Sequence, residues 1–90
     1  MRTLTYQNML EVLANFSLDH TDLGLFDLCG YCRYNEREIY IAKDMSEAMT
    51  IETIIHECVH GYRALHEQKQ NEKEVDKIAK ATMRRLYGGT

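Results

Sequence analysis

The segment His56-Glu57-Cys58-Val59-His60 has the residue types and the spacing of a zinc site. Four residues of α-helix rotate the chain by about 400° and advance it by about 6 Å, so His56 and His60 lie on the same helix face. Two imidazoles placed in this way can bind one Zn²⁺ at about 2.0–2.1 Å each. Glu57 lies beside them and can accept a proton from a water molecule that the metal acidifies. The pattern indicates hydrolytic metal chemistry with Glu57 as the general base.

The same five residues can also occur by chance on a solvated helix. Here Ile54, Ile55 and Val59 surround the motif with apolar side chains, which places the histidines at the edge of a buried face. Burying polar side chains that have no role costs free energy. The apolar context therefore favours a metal site.

A catalytic zinc ion needs a third protein ligand and one open coordination position. The candidates are His66, Glu72 and Glu74. His66 would lie about 15 Å from His56 along a continuous helix, and Arg63 stands where a chain reversal would need glycine. At about 100° per residue, Glu72 lies nearer than Glu74 to the apolar face of the following helix. Glu72 is the preferred ligand and Glu74 the alternative.

Asp76 follows Glu72 by four residues, so the two carboxylates lie on one side of a helix. One of them can bind the metal while the other accepts a hydrogen bond from a ligand histidine. The competing interpretation is that the acids of residues 71–76 are solvated and only favour the positive N-terminus of the helix.

The hydrophobic pattern predicts the elements that must position these residues. The predicted elements are a helix over residues 3–16, a loop around 20–24, strands over 25–34 and 38–43 joined by a turn at 35–37, and helices over about 46–66 and 72–87. Ile39 and Ile41 should share one face of the second strand and Tyr40 the other. We predict an α+β fold with an antiparallel hairpin.

Local signals support the helix boundaries. Either Asp44, which precedes Glu47 by three residues, or Ser46 can cap the second helix. Gly88 and Gly89 should end the last one. The apolar faces are predicted to bury two sets of residues, Leu4, Met9, Val12, Leu13 and Phe16 in the first helix and Val75, Ile78, Ala79, Thr82 and Leu86 in the last.

Ninety residues make one domain, residues 1–90, and a composition of 44% hydrophobic and 28% charged residues is typical of a globular chain. A net charge of −3 gives no basic field for nucleic acid. No apolar run approaches the ~20 residues that span a membrane, and the first ten residues lack the core of a signal peptide. Three cysteines are a poor disulfide framework. We expect a cytoplasmic protein that does not bind membranes and has no clear nucleic-acid-binding surface, apart from a local basic patch that residues 77–85 could form.

Cys29 and Cys32 form a single CxxC pair. A structural zinc site needs a second pair of ligands, and a redox motif needs a helix that begins after the first cysteine. Neither feature is present in the sequence. We therefore interpret both residues as small core residues.

The sequence resembles the gluzincin peptidases, in which HExxH is followed by a glutamate helix of the form NExxxD. The matching residues are His56 to His60 and then Asn71-Glu72-Lys73-Glu74-Val75-Asp76. The strand and helix before HExxH are similar to those of ImmA/IrrE-like and SprT-like proteins. The spacing of Glu72 and Asp76 is similar to that of ImmA/IrrE-like and HtpX-like peptidases. The resemblance covers about residues 28–86.

This resemblance implies a minimal zincin-like fold with zinc as cofactor and a peptide or protein as substrate. It implies that His56, His60 and Glu72 bind the metal, that Glu57 is the base and that Asp76 supports His56. It also implies that a strand borders the cleft and pairs with an extended substrate. The residues of that strand are Ile39, Tyr40, Ile41 and Ala42.

The proportions of the chain add a second hypothesis. Only eleven residues separate His60 from Glu72, and the chain offers no second subdomain to wall the cleft. Such proportions resemble stand-alone minimal gluzincins with weak or latent activity. The alternative function is therefore a weakly active or inactive module that binds a protein partner. Glu57 favours the enzyme, because a purely structural metal site does not need a base.

Overall fold

The computed structural model describes residues 2–23 and 28–88. Its elements in chain order are α1 (Tyr6–Asn15), β1 (Ser17–Thr21), β2 (Gly30–Arg33), β3 (Glu38–Ala42), α2 (Glu47–Leu65) and α3 (Glu72–Tyr87). The predicted α+β class is confirmed. Among the helices of the described residues, none has the length and apolar character needed to cross a membrane.

The three strands form one mixed sheet in the order β1-β3-β2. β2 and β3 pair antiparallel, which confirms the predicted hairpin, whereas β1 runs parallel to β3. β1 was not predicted: His20 and Thr21 belong to a strand and not to a loop. Its residues show no clean apolar alternation, and pairing with β3 determines their conformation. β2 covers residues 30–33 of the strand predicted over 25–34, and residues 24–27 lie outside the described part of the chain.

β3 is the central strand of the sheet. Ile39 lies opposite Leu18 of β1 and opposite Cys32 of β2, so both sides of the strand are paired. The prediction that residues Ile39, Tyr40, Ile41 and Ala42 form the substrate-binding edge is therefore wrong. The alternation within the strand is as predicted, because Ile39 and Ile41 are fully buried and Tyr40 is only half-buried. The edge strand that contacts α2 is β2.

Helix α1 packs against α2 at a point of very close approach. A Cβ atom on Gly61 would lie 2.7 Å from Val12 Cγ1, so with Val12 in its present position glycine allows the two helices to approach this closely. Thr5 caps α1 by accepting a hydrogen bond from the Asn8 backbone, which places the start of the helix three residues later than predicted. Leu13 is 40% exposed and was wrongly assigned to the core, because it lies about 100° around the helix from Val12.

Helices α2 and α3 match their predicted bounds closely. Ser46 caps α2 by accepting from Met49 N, whereas Asp44 has a φ of 63° and lies outside the helix. Asn71 caps α3, and Gly88 ends it with a left-handed φ of 88°. Four residues of the predicted α3 face are buried, namely Val75, Ile78, Ala79 and Thr82. Leu86 is 40% exposed and was wrongly placed in that face.

The core lies between the sheet and the three helices. It joins Ile39 and Ile41 of the sheet to Ile55 and Val59 of α2 and to Val75 of α3. The segment before α1 is held on α3, because Leu4 N donates to Thr82 Oγ1 at 2.8 Å. This packing fixes the start of α3 beside the middle of α2.

Candidate metal centre

Three possible metal ligands meet where α3 begins beside α2. They are His56 and His60 of α2 and Glu72, the first residue of α3, and their ligand atoms all lie within 4.8 Å of one another. Glu72 Oε1 lies 2.7 Å from His56 Nε2, and Glu72 Oε2 lies 3.0 Å from His60 Nε2. The two imidazole rings are 5.2 Å apart between centroids. The structure thus brings together the three residues that the sequence singled out.

This donor set fits a zinc ion. Two imidazole nitrogens and one carboxylate are a common catalytic set, which leaves one position open. Ligand atoms about 2.0–2.1 Å from a tetrahedral zinc lie about 3.3 Å apart. The two histidine nitrogens, now 2.7 and 3.0 Å from the Glu72 oxygens, are therefore a few tenths of an ångström closer to that carboxylate than ligands of one zinc ion would be. Glu72 can make this adjustment because its side chain is 72% exposed, whereas that of His60 is 8% exposed and fixed.

Glu57 lies beside the ligands in an unusual environment. It is only 6% exposed, and among the described residues its carboxyl group makes no hydrogen bond or ion pair. The pKa of Glu57 is raised to about 7, mainly because the carboxyl group is buried; His56 lowers this pKa and the charge of Glu72 raises it. Glu57 lines a cavity of about 290 Å³ together with His56 and Glu72. A carboxyl group with this pKa can exchange protons near neutral pH.

Two residues beside His60 were missed by the sequence analysis. Gln70 accepts a hydrogen bond from His60 Nδ1 at 2.8 Å and donates one to the His60 carbonyl at 3.0 Å. Tyr34, in the turn after β2, places its hydroxyl 3.4 Å from the same Nδ1 atom. No local signal marks either residue, since a glutamine in a polar loop and a tyrosine beside a turn are common.

The other acids of α3 point elsewhere. Glu74, the alternative ligand, pairs with Arg63 at 2.9 Å, and the same guanidinium donates to the Lys69 carbonyl at 2.7 Å. Asp76 pairs with Lys80, four residues on, at 3.1 Å. Asp76 therefore does not support His56 as predicted, and the support found in the structure comes from Gln70 and acts on His60.

His66 lies outside the cluster, as its distance along the helix requires. Its Nε2 atom is 3.0 Å from Glu11 Oε1, and its ring contacts that of Tyr62 at 4.2 Å between centroids. The contact with Glu11 ties the end of α2 to α1.

Strand β2 comes close to α2 beside the cluster. A Cβ atom on Gly30 would lie 2.8 Å from Thr53 Cγ2 and 2.8 Å from the Tyr40 carbonyl, so glycine is required here. Gly30 and the preceding Cys29 line the same cavity as Glu57. The strand that borders the candidate site is therefore β2.

The chain matches no protein-family model, and no curated protein or solved structure is significantly similar to it. Any function assigned to the site must therefore be argued from the residues and their geometry.

The three cysteines differ sharply in environment. Cys29 is exposed and was wrongly assigned to the core, Cys32 is half-buried and Cys58 is buried. Burial raises the pKa of both Cys32 and Cys58 to about 12. Because the thiolate is the reactive form, we expect iodoacetamide at pH 8 to modify the native protein once, at Cys29. Mass spectrometry of peptides from the labelled protein checks this result.

The matched control for the labelling experiment is Cys29→Ser, which should take up no label while folded. Rapid labelling of Cys32 or Cys58 in the native protein would contradict the packing described for these residues.

Proposed function

We propose that this protein is a zinc-dependent metallopeptidase in which His56, His60 and Glu72 hold the metal and Glu57 is the general base. One observation carries the proposal: a buried carboxyl group that has no hydrogen-bond partner among the described residues lines the same cavity as two of the three ligands. Such a group is costly to keep in a fold. A catalytic base next to a metal gives a reason for that cost.

The residues of the chain divide the chemistry among them. Zinc, when bound, supplies positive charge that polarises a carbonyl group and acidifies a water molecule. Glu57 accepts the proton of the attacking water at its carboxylate and returns it to the departing amine. Burial raises the pKa of Glu57 in the metal-free protein, so this carboxylate is a stronger base there than an exposed one.

The free edge of β2 is the natural place for an extended peptide. In the sheet of the described residues, β2 has one partner strand, β3, so its other side presents unpaired backbone groups. Cys29 and Gly30 carry this edge into the cavity. A peptide added as a further strand would pass beside Glu57. This role replaces the one first assigned to β3.

A second candidate function, binding of a protein partner, is favoured by a separate apolar groove. The groove has a volume of about 400 Å³ and is lined by Tyr6, Met9, Ile51, Ile54, Ile55, Leu86 and Tyr87. Tyr6 and Tyr87 are 66% and 59% exposed, so two aromatic side chains of the groove are open to solvent; contiguous exposed apolar surface marks interaction sites. A binding module would use this surface and would not need Glu57.

The metal set is tested by comparing Glu72→Gln with Glu74→Gln. Glu72→Gln removes a carboxylate from the cluster of candidate ligands. Glu74→Gln removes a carboxylate that pairs with Arg63 and lies outside that cluster. We expect Glu72→Gln to weaken zinc binding at least about 100-fold, since loss of residues that only support a ligand already costs about 10–100-fold. Glu74→Gln should bind zinc like the wild type. Competition with a fluorescent chelator measures both affinities.

The wild-type protein should bind one zinc ion per chain and, once loaded, cleave an unfolded polypeptide. A wild type that takes up no zinc from an excess would eliminate the metallopeptidase proposal. Equal losses of affinity in the two variants would eliminate Glu72 as a specific ligand.

A further inference from the structure

Gln70 is held against His60 by two hydrogen bonds, one that its side-chain amide donates and one that it accepts. Its amide nitrogen donates to the His60 carbonyl at 3.0 Å, and its amide oxygen lies 2.8 Å from His60 Nδ1. Gln70 belongs to the short connection between α2 and α3, two residues before Glu72. One side chain thus contacts both the backbone and the ring of a candidate metal ligand.

The backbone contact decides which way the amide faces. A carbonyl oxygen only accepts hydrogen bonds, so the NH₂ group of Gln70 must face it. The reversed amide would place two oxygens 3.0 Å apart without a proton between them. The amide oxygen of Gln70 must therefore face His60 Nδ1. An oxygen at this position accepts a hydrogen bond, so Nδ1 carries a proton.

An imidazole binds a metal through a nitrogen that carries no proton, so a proton held on Nδ1 makes Nε2 the atom that binds. This atom faces Glu72 at 3.0 Å and belongs to the cluster of ligand atoms. We propose that Gln70 is a positioning residue that fixes the tautomer and the rotation of the His60 ring so that Nε2 is presented to the metal. The link to the metal rests on the proposed function, whereas the state of the ring does not.

The connection that carries Gln70 is itself held in place. Arg63 donates to the Lys69 carbonyl at 2.7 Å on one side of Gln70. On the other side, Asn71 caps α3 by accepting from Glu74 N at 3.1 Å. The backbone at Gln70 is therefore ordered on both sides, so little further conformational entropy is lost when the Gln70 side chain bonds to His60.

The matched variants are Gln70→Ala and Gln68→Ala. Both remove a glutamine from the same connection, but among the described residues the Gln68 side chain makes no hydrogen bond. We expect Gln70→Ala to weaken zinc binding about 10–100-fold and Gln68→Ala to leave it unchanged. Equal zinc affinity in the two variants would overturn the proposal.

A spectroscopic measurement on metal-free protein separates this proposal from the proposed function. With ¹⁵N-labelled histidine, the wild type should show a His60 Nδ1 proton that exchanges slowly with water, because Gln70 protects it. The proton should exchange at least about 10-fold faster in Gln70→Ala but not in Gln68→Ala. A wild-type ring without a protected Nδ1 proton would refute the role of Gln70, whether or not the protein binds zinc or cleaves peptides.

Discussion

Glu57→Gln should bind zinc as tightly as the wild type and lose nearly all hydrolytic activity. The amide has almost the same shape as the carboxyl group, and Glu57 is not among the three ligand residues. The amide of the variant cannot accept a proton, however, and general-base catalysis contributes about 10²–10⁴-fold to a rate. We expect a loss of this size in the cleavage of a labelled, unfolded polypeptide, with zinc content measured on the same samples.

Glu52→Gln is the matched control for this loss of activity. Glu52 lies on the same helix and lines the same cavity, but it is exposed to solvent. Its replacement should leave cleavage unchanged. Equal cleavage by Glu57→Gln and the wild type would show that Glu57 is not the base. Zinc-loaded wild type that cleaves nothing, with the apolar groove still able to bind a partner, would favour the binding module.

In metal-free protein, the same substitution should change how stability depends on pH. The pKa of Glu57 is raised from 4.5 to about 7, mainly by burial, so the fold favours the neutral carboxyl group. Its contribution to stability is therefore complete below pH 4.5 and is lost as the pH rises through 7. A shift of this size corresponds to about 3 kcal/mol. Glu57→Gln has no such titrating group. We therefore expect its free energy of unfolding, relative to that of the wild type, to increase by about 3 kcal/mol from pH 4 to pH 8.

Urea unfolding with a chelator present measures this difference at several pH values. Glu52→Gln should follow the wild type, because Glu52 is exposed. Added zinc should reduce the penalty at pH 8, since a nearby cation favours the charged carboxylate. Curves for Glu57→Gln and the wild type that stay parallel from pH 4 to pH 8 would contradict the burial of an unpaired carboxyl group.

The helices could be predicted where local signals were strong. α2 and α3 have long apolar faces, a cap at Ser46 or Asn71 and, for α3, a glycine at its end. β1 has no comparable signal, because its five residues are mostly exposed and become a strand only by pairing with β3. The central position of β3 follows from that pairing. Strand order is a long-range property, so it was out of reach of the local pattern.

The same division applies to the candidate site. His56, Glu57 and His60 lie on one helix, and their arrangement follows from helix geometry alone. Glu72 was found because the rotation of α3 relative to its apolar face could be counted. Gln70 depends on the path of the connection between the helices. The ion pair between Glu74 and Arg63, which keeps Glu74 out of the metal cluster, depends on that path as well.

The tight contact at Gly61 limits which sequences can build this arrangement. A Cβ atom on the residue directly after the second histidine would lie 2.7 Å from Val12 Cγ1. A chain with the same three-helix layout must keep glycine there, change the side chain at position 12 or move α1 away. Together with the spacing to residues 70 and 72, this gives a search pattern of His-Glu-x-x-His-Gly, then nine residues on Gln-x-Glu. Distant relatives can be sought with that pattern where overall similarity is too low to detect.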